Sequence, residues 1–196
     1  AGFLQALYAL KNIDGAEKDI ALIATSDEEV GSQTSRELIE KVSKVASAVL
    51  VFEASLDGKV KTGRKGTSMY QIKVHGRASH AGLDPEKGIN STMEIAHIVV
   101  KMAALENKVH GTTVVPTTLH SGTVTNTVPA LAILDIDSRS FTLTELQRVE
   151  KEIKGLTPVH PEARIEVTGG INRPPLELHS TTTLYEKLER VAQDLG

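Results

Sequence analysis

The chain has 196 residues, 40% of them hydrophobic and 24% charged, with a net charge of −3. That balance excludes a disordered chain, and the lack of any Lys/Arg block or bilayer-length apolar run argues against nucleic-acid and membrane partners. With no cysteine there are no disulfides or thiolate metal sites, so a metal must be held by Asp, Glu or His.

Phe3, Leu4, Leu7 and Leu10 fall at helical spacing, with no initiating Met before them, so the chain is expected to begin inside a fold. Turn residues at 12–15 then lead to the apolar run Ile20-Ala21-Leu22-Ile23-Ala24. This run predicts a strand over 19–25, buried on both faces of a parallel sheet. Beyond it come Asp27, Glu28 and Glu29. Strand ends in open α/β sheets face the ligand crevice, which places Glu28 and Glu29 in a cleft. Thr34 and Glu37 form a capping box for a helix with Leu38, Ile39, Val42, Val45 and Ala46 in one stripe. A second strand over 49–52 ends on Glu53. Carboxylates gathered at two strand ends repel unless a cation or proton neutralises them; acids ahead of a helix also simply complement its macrodipole.

The polar, glycine-punctuated stretch 58–66 suits a crossing between domains. After it, Tyr70, Ile72 and Val74 alternate with Gln71, Lys73 and His75, the pattern of a strand with one wet face. Ser91 and Glu94 predict the capped start of a helix with Met93, Ala96, Val100 and Ala103 inward. Strands are expected over 112–119 and 131–137. Thr142 and Glu145 open a further helix with Leu146, Val149 and Ile153 inward and Gly155 as its C-cap, and a strand over 163–168 follows. The order β-α-β-β-α-β is that of the ferredoxin-like split βαβ arrangement. A last helix carries Leu184, Leu188, Val191 and Leu195. The predicted class is therefore α/β: a partial catalytic domain at 1–65, an inserted ferredoxin-like lid and dimerisation domain at 66–173, and a return to the catalytic domain at 174–196.

The residues from Thr25 to Ser32, followed by Phe52-Glu53, resemble the dizinc peptidase and deacylase family of carboxypeptidase G, acetylornithine deacetylase, succinyl-diaminopimelate desuccinylase and aminoacylase. Gly76-Arg77-Ala78-Ser79-His80-Ala81-Gly82, the run Pro85-Glu86-Lys87-Gly88-Ile89-Asn90, Thr125 to Pro129, and Asp137-Ser138-Arg139 are similar to that family's lid. The resemblance implies an amide hydrolase, favouring glutamate carboxypeptidase, with two zinc ions that cobalt or manganese could replace. It makes Glu28 the general base and Glu29 and Glu53 metal ligands. His80 becomes an oxyanion donor reaching across a homodimer, and Asn126 and Arg139 become substrate-binding residues, with Arg139 gripping a carboxylate. Small peptides or N-acyl amino acids are the implied substrates, and the cytoplasm is the expected location. Taken residue by residue, His80 also reads as solvated surface, Asn126 as a turn residue and Arg139 as half of a strand-end ion pair.

The family's upstream His-x-Asp, its bridging Asp and its downstream His have no counterpart here. The expectation is an internal fragment, inactive alone, with an incomplete metal site. The alternative is a non-catalytic dimerisation module with vestigial flanks.

Overall fold

A computed structural model of the chain describes Leu4, Tyr8, Leu10, Lys11, Asp57 and residues 20–53, 59–178 and 181–195. It divides into two units, Ala1–Val60 and Lys61–Gly196.

In the first unit Leu4, Tyr8 and Leu10 are helical; the rest of the predicted opening helix, including Phe3 and Leu7, and the 12–15 turn lie outside the described residues. The regular element is α1, Arg36–Ser43, which ends before Val45 and buries none of its residues. The parallel β-α-β arrangement is not formed: residues 20–25 and 49–53 carry no strand pairing. Val49, Leu50, Val51 and Phe52 are all more than half exposed. A strand apolar on both faces needs hydrogen-bonded neighbours and helical cover on each side, and among the described residues this unit offers one eight-residue helix. The capping box is also corrected, because the Ser35 N-cap makes no side-chain cap bond and the Thr34 hydroxyl donates to Asp27 instead.

The second unit runs β1 (Gly66–His75), α2 (Ser91–Ala103), β2 (Thr113–Ser121), β3 (Leu131–Ser140), α3 (Leu143–Lys154), β4 (Arg164–Arg173) and α4 (Thr182–Leu195). Its sheet has the order β2-β3-β1-β4 with every neighbouring pair antiparallel. The register sets Tyr70 opposite Ile136, Ile72 opposite Leu134 and Val74 opposite Ala132. Alternation sends these side chains to one face, where α2 and α3 close a single core through Ile95, Ile98, Met102, Val149 and Ile153. Pro116, which cannot donate to a ladder, sits on edge strand β2 beside a register shift. The segments entering and leaving the sheet are joined where Arg64 bridges to Leu176 and where the Thr181 hydroxyl donates to the Thr62 carbonyl at 2.6 Å.

Helix α3 follows its sequence pattern: the Thr142 side chain accepts the Glu145 N–H, and Leu146, Val149 and Ile153 are buried. Helix α2 does not. Its buried residues are Ser91, Glu94, Ile95, Ile98 and Met102, whereas Met93 and Val100 are 59% and 72% exposed. The cap is Asn90, whose side chain accepts the N–H groups of Thr92 and Met93. Ser91 donates to the Pro129 carbonyl at 2.9 Å. Glu94, expected in a cap, is a buried anchor that accepts the N–H groups of Val159 and His160, each at 2.8 Å. With apolar residues around its whole circumference, periodicity alone could not choose the inward face of α2.

Candidate functional site

In the first unit Glu28 and Glu29 begin a short 3-10 turn, Glu28–Val30, that closes on Gly31 in the left-handed region at φ 93°. Asp27 fixes this turn to the start of α1. Its carboxylate accepts the Thr34 N–H at 2.8 Å, the Thr34 hydroxyl at 2.7 Å and the Ser35 N–H at 3.1 Å. Hydrogen bonding from Ser35 and then Thr34 holds the Asp27 carboxyl far below the usual carboxylate range. Sequence reasoning names Asp27 beside the glutamate pair but gives it no role. The available signal was an acid just ahead of the glutamate pair, with two hydroxyl residues where the next helix begins.

Glu28, Glu29 and Glu53 are all exposed. Among the described residues no group of three or more His, Asp or Glu is placed to hold a metal ion. Oxygen donors suit a hard or borderline cation, but Glu29 and Glu53 are two carboxylates where a zinc site takes three or four protein ligands. The described residues do not make a zinc centre by themselves.

In the second unit two loops meet beyond the His75 end of the sheet. Ala81 donates its N–H to the Asn126 carbonyl at 2.8 Å, Val128 donates to the Ser79 carbonyl at 2.9 Å, and His80 pairs with Thr127 between them. The backbone thus brings His80 and Asn126 side by side. The turn after His80 is closed by Asp84, whose carboxylate accepts the His80 N–H at 3.1 Å.

Arg139 stands elsewhere. It pairs in register with Thr67 at one end of β3, while the His80 and Asn126 loops adjoin Leu131 at the other. At about 3.4 Å per residue these ends are about 27 Å apart. Within one chain Arg139 does not meet His80 or Asn126. Its guanidinium forks onto Asp137, Nε to Oδ1 at 2.8 Å and Nη2 to Oδ2 at 3.1 Å, and this hydrogen bonding raises its already high pKa.

Comparison with known proteins decides what this arrangement belongs to. The profile of the M20 peptidase dimerisation domain matches residues 62–162. The chain belongs to the M20 peptidase family. Carboxypeptidase G2 of Pseudomonas sp. (strain RS-16) is 33% identical over 159 residues, which are 79% of this M20 chain and 38% of that protein. Succinyl-diaminopimelate desuccinylase of Aliarcobacter butzleri (strain RM4018) is 30% identical over 169 residues, 76% of this chain and 46% of that one. Aminopeptidase PepT from Bacillus cereus shares the fold, with a TM-score of 0.56 at 19% identity over 69% of this chain and 37% of its own. This M20 chain spans about two fifths of the length of the curated relatives it matches. Among its described residues no helix is long and apolar enough to cross a membrane.

Proposed function

We propose that this chain serves a homodimeric M20 hydrolase that cleaves the amide bond of a carboxylate-bearing substrate, either a dipeptide releasing glutamate or an N-acyl amino acid. The second unit is then the ferredoxin-like lid of that enzyme. The observation that carries the reading is that the backbone sets His80 beside Asn126 at one end of the sheet, with Arg139 at the other. A site needing all three must draw on two copies.

In the proposed chemistry Glu28 takes a proton from the attacking water and passes it to the leaving amine. His80 of one copy donates a hydrogen bond to the oxygen that becomes negative in the other copy's site. Asn126 holds the substrate beside it, and Arg139 receives the substrate carboxylate on its planar fork. Asp27 keeps the Glu28–Val30 turn against α1. The cofactor in this reading is a pair of zinc ions, with cobalt or manganese as substitutes, for which Glu29 and Glu53 supply part of the ligands.

Self-association is supported by the free side of α2, where Met93, Ala96, Val100 and Ala103 are exposed, and by edge strand β2, where Val115 and Leu119 are about half exposed. A module that only dimerised would account for these surfaces but not for the Asp27 brace behind Glu28 and Glu29. The test uses the complete gene product supplied with zinc. It is expected to hydrolyse N-acyl amino acids or dipeptides, with Glu28→Ala slowing turnover by about 10²–10⁴-fold. Undiminished turnover in Glu28→Ala removes the base. Calorimetric titration is expected to find two zinc ions on that product and no tight zinc binding by this chain alone, and a product that binds none supports the non-catalytic module.

A further inference from the structure

The imidazole of His80 is held from inside its own turn. Nδ1 accepts the backbone N–H of Gly82 at 3.1 Å and that of Leu83 at 3.2 Å. Backbone N–H groups only donate, so Nδ1 must present its lone pair, and the proton of the neutral ring sits on Nε2. Nε2 makes no hydrogen bond among the described residues, and the side chain is exposed. Asp84 closes the same turn twice: its Oδ1 accepts the His80 N–H at 3.1 Å and its own N–H donates to the His80 carbonyl at 3.1 Å. Its other carboxylate oxygen takes Lys87 Nζ at 3.2 Å. Underneath, the bonds from Ala81 to Asn126 and from Val128 to Ser79 fix the base of the turn to the neighbouring loop.

We propose that the turn His80–Asp84 is a tautomer lock, in which the Gly82 and Leu83 amides keep Nδ1 unprotonated so that His80 works as a neutral Nε2–H donor, with Asp84 as its positioning residue. The proposal rests on the reading of His80 as the oxyanion donor and deepens it. A donor fixed at its backbone and at the far side of its ring loses little freedom when an oxyanion forms in front of it, which is the condition under which a single hydrogen bond contributes most to a transition state. The two amides thus select the tautomer whose N–H points out of the turn. Exposed loop histidines without such amides interconvert between tautomers.

The lock is read directly from multiple-bond ¹H–¹⁵N spectra of the histidine rings in this chain at neutral pH. The expected signature for His80 is a pyridine-type Nδ1 and a pyrrole-type Nε2, without averaging. Asp84→Asn retains an acceptor for the His80 N–H and is expected to keep that signature. Asp84→Ala is expected to move both ring nitrogens toward averaged positions, and so is Leu83→Pro, which removes one ring-facing N–H without touching Asp84. A pyrrole-type Nδ1, or ring resonances indifferent to both Asp84→Ala and Leu83→Pro, overturns the lock. In the complete gene product Asp84→Ala is expected to lower kcat by about ten- to a hundredfold with KM unchanged, and Asp84→Asn to restore it. The two readings separate cleanly. Normal turnover in His80→Ala removes the hydrolytic role of the ring whatever the spectra show, whereas lost turnover in His80→Ala with averaged wild-type ring spectra removes the lock alone.

Discussion

Val128 and Ser79 are joined by a backbone hydrogen bond of 2.9 Å, and Gly88 packs against both of their side chains. A Cβ at position 88 would collide with Ser79 Oγ and stand 2.8 Å from Val128 Cγ1. Gly88→Ala is therefore expected to cost about 1–3 kcal/mol through overpacking. The damage should centre on the loop pair that carries His80 and Asn126. Urea unfolding reads the loss, and hydrogen exchange at the Val128 amide shows whether it is local.

Glu94 is a core element in the guise of a helix-capping residue. It is 6% exposed, and its two oxygens take the amides of Val159 and His160. Glu94→Ala leaves those donors without their partner and is expected to destabilise the second unit by about 1–3 kcal/mol. The urea midpoint should fall while the slope of the transition stays unchanged.

The pH dependence of stability is expected to carry the mark of Glu145. Its carboxyl is held down to about 2 from an ordinary 4.5, first by the hydrogen bond from Arg148 and further by that from Thr112. A depressed folded-state pKa stabilises the protein above about 4.5, and that contribution is lost as the pH falls through about 2. Thermal melts should show Glu145→Gln below the wild type near neutral pH, with the gap closing between those two values. A gap that persists unchanged at the acid end contradicts the pairing.

Arg139 gives Nε–H and one Nη2–H to Asp137, so in the proposed role a substrate carboxylate is received on its remaining N–H groups against the charge of Asp137. Arg139→Lys loses the bidentate geometry and is expected to raise KM for carboxylate-bearing substrates about tenfold, about the worth of one charge-assisted hydrogen bond. Asp137→Asn removes the competing charge and is expected to lower KM. Steady-state kinetics of the complete gene product measure both.

The second unit was largely legible because its sequence obeys one period at a time. Tyr70, Ile72 and Val74 alternate cleanly, and Leu146, Val149 and Ile153 between Thr142 and Gly155 leave one inward face for α3. On α2 the same reasoning failed, since Met93, Ile95, Ala96, Ile98, Val100 and Met102 offer two competing stripes. The choice between them fell to Ser91 and Glu94, whose buried hydrogen bonds to Pro129, Val159 and His160 are long-range and leave no local trace. In the first unit the runs at 20–25 and 49–52 read as strands because they are apolar, but apolarity does not supply the neighbours a strand needs. Of the candidate residues, the adjacency of His80 and Asn126 rests on backbone bonds between loops more than forty residues apart, beyond the reach of any periodicity. The bracing roles of Asp27 and Asp84 are not legible in the sequence, because their partners Thr34, Ser35 and His80 lie several residues away along the chain at positions no periodicity marks.

In the proposed dimer His80 serves a site whose base, Glu28, belongs to the other copy. Hybrid dimers of the complete gene product, one subunit Glu28→Ala and the other His80→Ala, test it most directly. Each variant alone is expected to be nearly inactive, and hybrids are expected to regain turnover because one of their two sites combines an intact Glu28 with an intact His80. Hybrids that form but remain as inactive as either parent would contradict the shared site.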